Sequence, residues 1–171
     1  MKRFLIILAA VLAIILGVVC LTPFGEIQDH VTFYYAQTDF SYDRPDGVIG
    51  AEIREVNSRS DDLPYLLALY LEGPLTPSLT SPFPSKGTTQ ILELDRKEQV
   101  IEIKLSNLDV TMTDSQFSLA CACLTKTCLG LTDAQAVKIT SGTRCVTMDR
   151  NNLMLFDESA SVQLPQQEET K

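Results

Sequence analysis

The most reactive side chains in the sequence are its five cysteines, at positions 20, 121, 123, 128 and 145. Zinc sites draw on C-x₂₋₄-C pairs with a second pair or histidines close by. Cys121, Cys123 and Cys128 on one helix would instead splay their sulfurs around its axis. Cys121 and Cys128 are seven positions apart and share a helical face, where a thiol behaves as a small hydrophobe. Cys123 is expected to point elsewhere. In an exported chain Cys123 and Cys145 could oxidise to a disulfide, and spacing alone leaves that pairing open. Cys20 stands at a depth suited to lipid attachment, with Val19 where a small residue usually precedes the modified cysteine.

His30 is the sole histidine. Ser–His or Cys–His catalysis would have to run through it, and its place ahead of the first expected strand argues against that. G-x-S-x-G, H-E-x-x-H, the phosphate-binding loop and the dinucleotide fingerprint are all absent. Asp61 and Asp62 could be read as the carboxylate pair of a glycoside hydrolase, but adjacent acids at a helix start are more simply a cap. Phe33, Tyr34, Tyr35, Phe40 and Tyr42 could stack on sugars, yet strand packing accounts for them as well. On these residues no catalytic group, no metal site and no cofactor site is assigned.

The elements that would position such residues are legible in order. Ser60 to Pro74, SDDLPYLLALYLEGP, is a short helix with both ends marked. Asp61 or Asp62 can cap its start, Pro64 fits the first turn, and Leu63, Leu66, Leu67, Tyr70 and Leu71 form one apolar face. Gly73 and Pro74 close it. A first strand is expected over Val31–Tyr35 and a second over Val48–Val56. Prolines 77, 82 and 84 predict a rigid, irregular wrap after the helix. Thr89–Asp95 and Val100–Leu105 form a hairpin whose buried side is Ile91, Leu92, Leu94, Val100, Ile101, Ile103 and Leu105. Thr113 and Gln116 match a capping box, opening a helix with a face at Phe117, Ala120, Cys121, Leu124, Cys128 and Leu131 that ends near Gly130. Strands at Ala136–Thr140 and Thr143–Met148 follow, then a short edge strand at Leu153–Phe156. The order predicts an α+β fold, a mixed β-sheet with two helices packed on one face.

Lys2 and Arg3 precede an apolar run of 18 uncharged residues, Phe4–Leu21, in a chain of 171. That length approaches the roughly 20 residues that cross a bilayer as a helix. An uncleaved anchor with its basic flank in the cytoplasm, a lipidated Cys20 and a cleaved signal all place residues 22 onward on the extracytoplasmic side of the cell membrane. The expected organisation is an N-terminal anchor or signal segment over 1–21, a juxtamembrane spacer over 22–30, one domain over 31–157 and a polar tail over 158–171. The formal charge of −8 becomes −10 once Lys2 and Arg3 are set aside. So acidic a domain is unsuited to nucleic acid, which needs clustered Lys and Arg.

The succession of VTFYY, IREV, LALYLEGP, PSKGT, TQILELDRKEQVIEIKLS, LACACLTKT and AVKITSG over Val31–Gly142 resembles the GerMN domain family, the module of GerM-type sporulation and spore-germination envelope proteins. The resemblance implies a ring-building-motif-like α+β domain without enzymatic activity. It would be tethered to the cytoplasmic membrane and bind protein partners in an envelope complex, with contact to the cell wall and oligomerisation as further expectations. The competing reading is an envelope protein that binds cell-wall fragments or a small solute.

Overall fold

The computed structural model describes residues 28–39, 47–57, 59–84 and 87–153. Among these residues, seven strands and two helices follow in the order β1 (Gln28–Gln37), β2 (Ile49–Asn57), α1 (Leu63–Leu71), β3 (Leu79–Thr80), β4 (Ile91–Lys97), β5 (Val100–Leu105), α2 (Asp114–Leu131), β6 (Ala136–Ser141) and β7 (Arg144–Asp149). The fold is α+β, as the order of elements predicts. The anchor segment 1–21, Phe40, Tyr42 and the expected strand residues Met154–Phe156 lie outside the described residues, as does the tail. Among the described residues no helix is long and apolar enough to cross a membrane.

The strands divide between two sheets. The expected mixed sheet is four-stranded, ordered β4-β5-β6-β7, with β5 and β6 parallel and both outer pairs antiparallel. Parallel neighbours need a long crossover, and α2 supplies it. β1 and β2 do not join that sheet. They pair antiparallel along their whole length, and β3 adds two residues to the other side of β1. The first strand therefore begins at Gln28, three residues inside the expected spacer, because its pairing runs out to Asn57. His30 falls within this strand, opposite Glu55, with its Nε2 3.6 Å from that carboxylate.

Helix α2 packs on β1 of one sheet and on β6 and β7 of the other. A helix covered from two sides has little solvent face, and Cys123, expected to point away from the core, is as buried as Cys121 and Cys128. Its start carries the reciprocal bonds of the capping box, Gln116 N–H to Thr113 Oγ1 at 3.3 Å and Thr113 N–H to Gln116 Oε1 at 3.0 Å. One apolar cluster joins both sheets and both helices. The proline-rich wrap contributes to it through Leu79, inside the short strand β3, and through Phe83.

The β4–β5 hairpin turns at Glu98 and Gln99, with Glu98 at φ 55°. Ile101, Ile103 and Leu105 are buried as expected. Leu92 is not, being 54% exposed. The pairing slips between Ile91 and Glu93, and such a bulge sends the extra residue's side chain away from its regular face.

Candidate functional site

Among the described residues, a concave surface lies between α1 and the outer strand β4. The groove measures about 690 Å³, with Pro64, Ala68 and Leu71 of α1 on one wall and Ile91, Leu92 and Leu94 of β4 on the other. It falls in the range of about 300–1,000 Å³ that small ligands and peptide side chains occupy. Its charged lining residues are Glu72 and Glu93, the second of them paired with Lys104 at 2.6 Å.

A groove is only as well defined as its walls, and α1 has just nine residues, too few to be stable alone. Its start is fixed by Asp62, whose Oδ1 accepts from Tyr65 N–H at 3.0 Å. Arg59 pairs with the same carboxylate and lies over the Tyr65 ring, 3.9 Å from its centroid. The Arg59 bond and then the Tyr65 amide hold the Asp62 carboxyl below its usual range. A general acid would need the opposite shift, so the arrangement is that of a cap. Asp61 contributes its main-chain carbonyl, accepting from Leu63 N–H at 3.2 Å.

The last turn of α1 is held by two stacked tyrosines, Tyr70 of the helix and Tyr35 of β1. Tyr35 and Tyr70 stack with centroids 4.7 Å apart and planes 13° from parallel. Each hydroxyl reaches past the other ring: Tyr35 donates to Tyr70 O, and Tyr70 donates to Tyr34 O, both at 3.0 Å. On the same edge of β1, Tyr34 N–H donates to Thr127 Oγ1 of α2 at 2.9 Å. Both main-chain groups of Tyr34 are thus taken by side chains, which closes that edge of β1 against a further strand. Burial raises both phenols well above their usual range, so they remain neutral donors.

The end of α1 is fixed from β2, whose inward face is not the apolar one. Glu52 and Arg54 are buried while Ile53 is 71% exposed. Arg54 pairs with Glu52 Oε1 and lies over the Phe33 ring at 5.2 Å. It also donates to Leu69 O at 3.2 Å and to Gly73 O at 2.9 Å. Glu52 Oε2 accepts from the N–H groups of Leu75 at 2.8 Å and Thr76 at 2.7 Å. The ion pair therefore gathers one carbonyl from the last turn of α1, the carbonyl of Gly73 and the first amides beyond Pro74 around the tight turn at Gly73, whose φ of 93° suits glycine. Burial alone would raise the Glu52 carboxyl. The bonds from Thr76, Arg54 and Leu75 outweigh it and hold the group below its usual range.

The other sequence candidates do not converge on this groove. His30 is exposed on β1. Phe33, Tyr34 and Tyr35 lie in or beside the core, and no sugar platform forms from them. Cys123, Cys128 and Cys145 are outside any disulfide, and burial pushes the thiols of Cys123 and Cys128 up to about 12. Cys20, the candidate lipid-attachment residue, lies outside the described residues. Among the described residues, no three His, Cys, Asp or Glu side chains gather to hold a metal ion. Sequence reasoning missed the Glu52–Arg54 clamp. Its signal was two opposite charges at alternate positions on the same face as Val56.

No protein-family profile matches the chain, and no curated protein matches it. Among solved structures, a candidate lipoprotein from Clostridium perfringens, determined by crystallography, aligns over 76% of this chain and 94% of its own at 17% identity and a TM-score of 0.42. A likeness of that degree carries no argument about function.

Proposed function

We propose that this chain is a membrane-tethered, extracytoplasmic, non-enzymatic protein that assists assembly of an envelope complex in sporulation or spore germination, recognising its partner through the α1–β4 groove. The observation that carries the tether is the Lys2-Arg3 pair ahead of the apolar run Phe4–Leu21. What supports partner recognition is the accessible, largely apolar groove whose helix wall is held at its start and through its last turn. The GerMN resemblance supplies the setting.

A topology experiment tests this reading. In right-side-out membrane vesicles carrying the full chain, externally added protease is expected to digest the domain and leave the N-terminal segment in the membrane. Protection of the domain would overturn the extracytoplasmic placement. Peptidoglycan digestion that is lost on Asp61→Asn or Asp62→Asn would overturn the non-enzymatic reading. The groove's volume, about 690 Å³, also suits a second reading, a receptor for cell-wall fragments or a small solute. Muropeptide binding to the purified chain, without any protein partner, would favour that reading over the first.

A further inference from the structure

Four strands lie at sheet margins: β2 and β3 in the antiparallel sheet, β4 and β7 in the mixed one. Exposed strand edges invite pairing with other chains, and proteins guard them with shortness, charges and bulges. β3 has two residues. β2 carries Glu52 and Arg54 inward. β7 begins at Arg144, engaged with Asp114 and with Met112 O, and ends at Asp149, whose carboxylate collects the amides of Asn151 and Asn152. The second half of β4 is guarded as well, by Asp95, Arg96 and Lys97.

The first half of β4 carries the bulge between Ile91 and Glu93 and the Glu93–Lys104 pair, and beyond them it leaves one residue's main chain open. Lys97 pairs with Val100 across the two-residue turn, so in an antiparallel ladder the main-chain groups of Lys97, Asp95 and Glu93 face β5. Those of Arg96 and Leu94 face outward. Asp95 Oδ1 takes the Arg96 amide at 2.8 Å. The outward groups of Leu94 stand directly at the groove, between half-buried Ile91 and Leu94 side chains and exposed Leu92. An open strand edge and an apolar groove beside a helix are the two halves of a strand-addition site: the main chain supplies affinity and the groove selects alternate side chains.

We propose that this groove takes an extended segment of a partner protein. The segment pairs as an added strand with β4 at Leu94, sets alternate apolar side chains against Ala68 and Leu71, and carries Lys or Arg at its flank opposite Glu72. The charge of the lining selects the occupant. Glu93 is paired with Lys104 at 2.6 Å, which leaves Glu72 to face an occupant; a second copy of this chain, of net charge −8, would bring Glu72 to meet itself, whereas a segment with a basic flank complements it. This deepens the partner-binding reading and rests on it, but it concerns the groove alone and stands whichever side of the membrane the domain occupies.

The test is a titration of the ¹⁵N-labelled full chain, in detergent micelles, with the synthetic peptide KVTVTVK, its glutamate-flanked counterpart EVTVTVE, and KVTVTVK with alternate backbone amides N-methylated. The expected result is that KVTVTVK shifts the amides of Ala68–Glu72 and Ile91–Leu94 and slows exchange at Leu94. Affinity should fall about tenfold or more for EVTVTVE, for the N-methylated peptide, and for the Ala68→Arg variant. That variant places a good helix former at an exposed helix position, and unchanged signals elsewhere would show it folded. The proposal is overturned if N-methylation leaves binding intact, if the shifts lie elsewhere, or if KVTVTVK fails to bind at millimolar concentration. It is also overturned if Ala68→Arg binds equally well, or if the same amides become protected by self-association without peptide.

Discussion

The Glu52–Arg54 pair gives the sharpest quantitative expectation. Replacing a buried ion pair by apolar residues of similar size is often neutral or stabilising, because both desolvation costs vanish together. Here that rule should fail, because the pair also satisfies main-chain groups. Arg54 serves Leu69 O and Gly73 O, and Glu52 serves the amides of Leu75 and Thr76. In the double variant Glu52→Leu/Arg54→Met those groups lose their partners. Leu75 is 78% exposed, so water can recover the two amides. The carbonyl of buried Gly73 and that of half-buried Leu69 cannot be recovered as readily. At about 1–3 kcal/mol for each buried group left unsatisfied, the double variant should lose roughly 2–4 kcal/mol. Arg54→Met alone should lose more, about 3–5 kcal/mol, because it also leaves the Glu52 carboxylate buried without its partner charge. For a domain of this size such losses correspond to a fall in Tm on the order of 10 °C. Thermal and urea unfolding of the full chain in detergent would measure both variants, and amide exchange at Leu75 and Thr76 would report the local loosening. A double variant as stable as the parent would refute the reasoning, since the pair would then be no more than two charges.

Three further outcomes follow from the same geometry. Glu52 has a folded-state pKa below its ordinary value of about 4.3, so its contribution is fully present above that value and is lost as pH falls through the depressed one. Urea midpoints taken between about pH 5 and pH 2 should show an acid limb that flattens in Glu52→Gln. Tyr70→Phe removes the donor to Tyr34 O while keeping the stacked ring, and should cost about 1–2 kcal/mol by urea denaturation. With thiols pushed up to about 12 by burial, Cys123 and Cys128 should stay unmodified by iodoacetamide at neutral pH in the folded chain and react once it is unfolded, as read by peptide mass mapping.

The parts of the fold legible in the sequence are those coded by local chemistry. Asp62, Pro64 and Gly73 mark α1 because capping and chain reversal depend on neighbours a few positions apart, and Thr113 with Gln116 marks α2 for the same reason. The division into two sheets was not legible. It depends on side chains from two helices, the Tyr70 hydroxyl and Thr127, reaching one edge of β1 from 36 and 93 residues away. Leu92 was misplaced because a bulge reverses the alternation that assigned it inward. The groove itself was hidden in consequence: it needs Leu92 turned outward and α1 beside β4, and neither follows from period. Cys123 was misplaced because a helix covered by two sheets has no polar side for it to face.

The clamp and the groove are linked through α1. A buried charge pair is a poor way to gain stability, and apolar side chains could have filled the same space on β2. What they could not do is hold the carbonyls at one side of Gly73 and the amides at the other in a single arrangement. With Asp62 capping the start of the helix and Tyr70 and Arg54 holding its last turn, the wall formed by Ala68 and Leu71 is braced at both ends before anything binds. A preformed wall contributes little ordering cost to association, so that cost falls on whatever enters the groove. Among segments of equal side-chain chemistry, those already extended in isolation should then bind most tightly, because they give up the least freedom in pairing with Leu94.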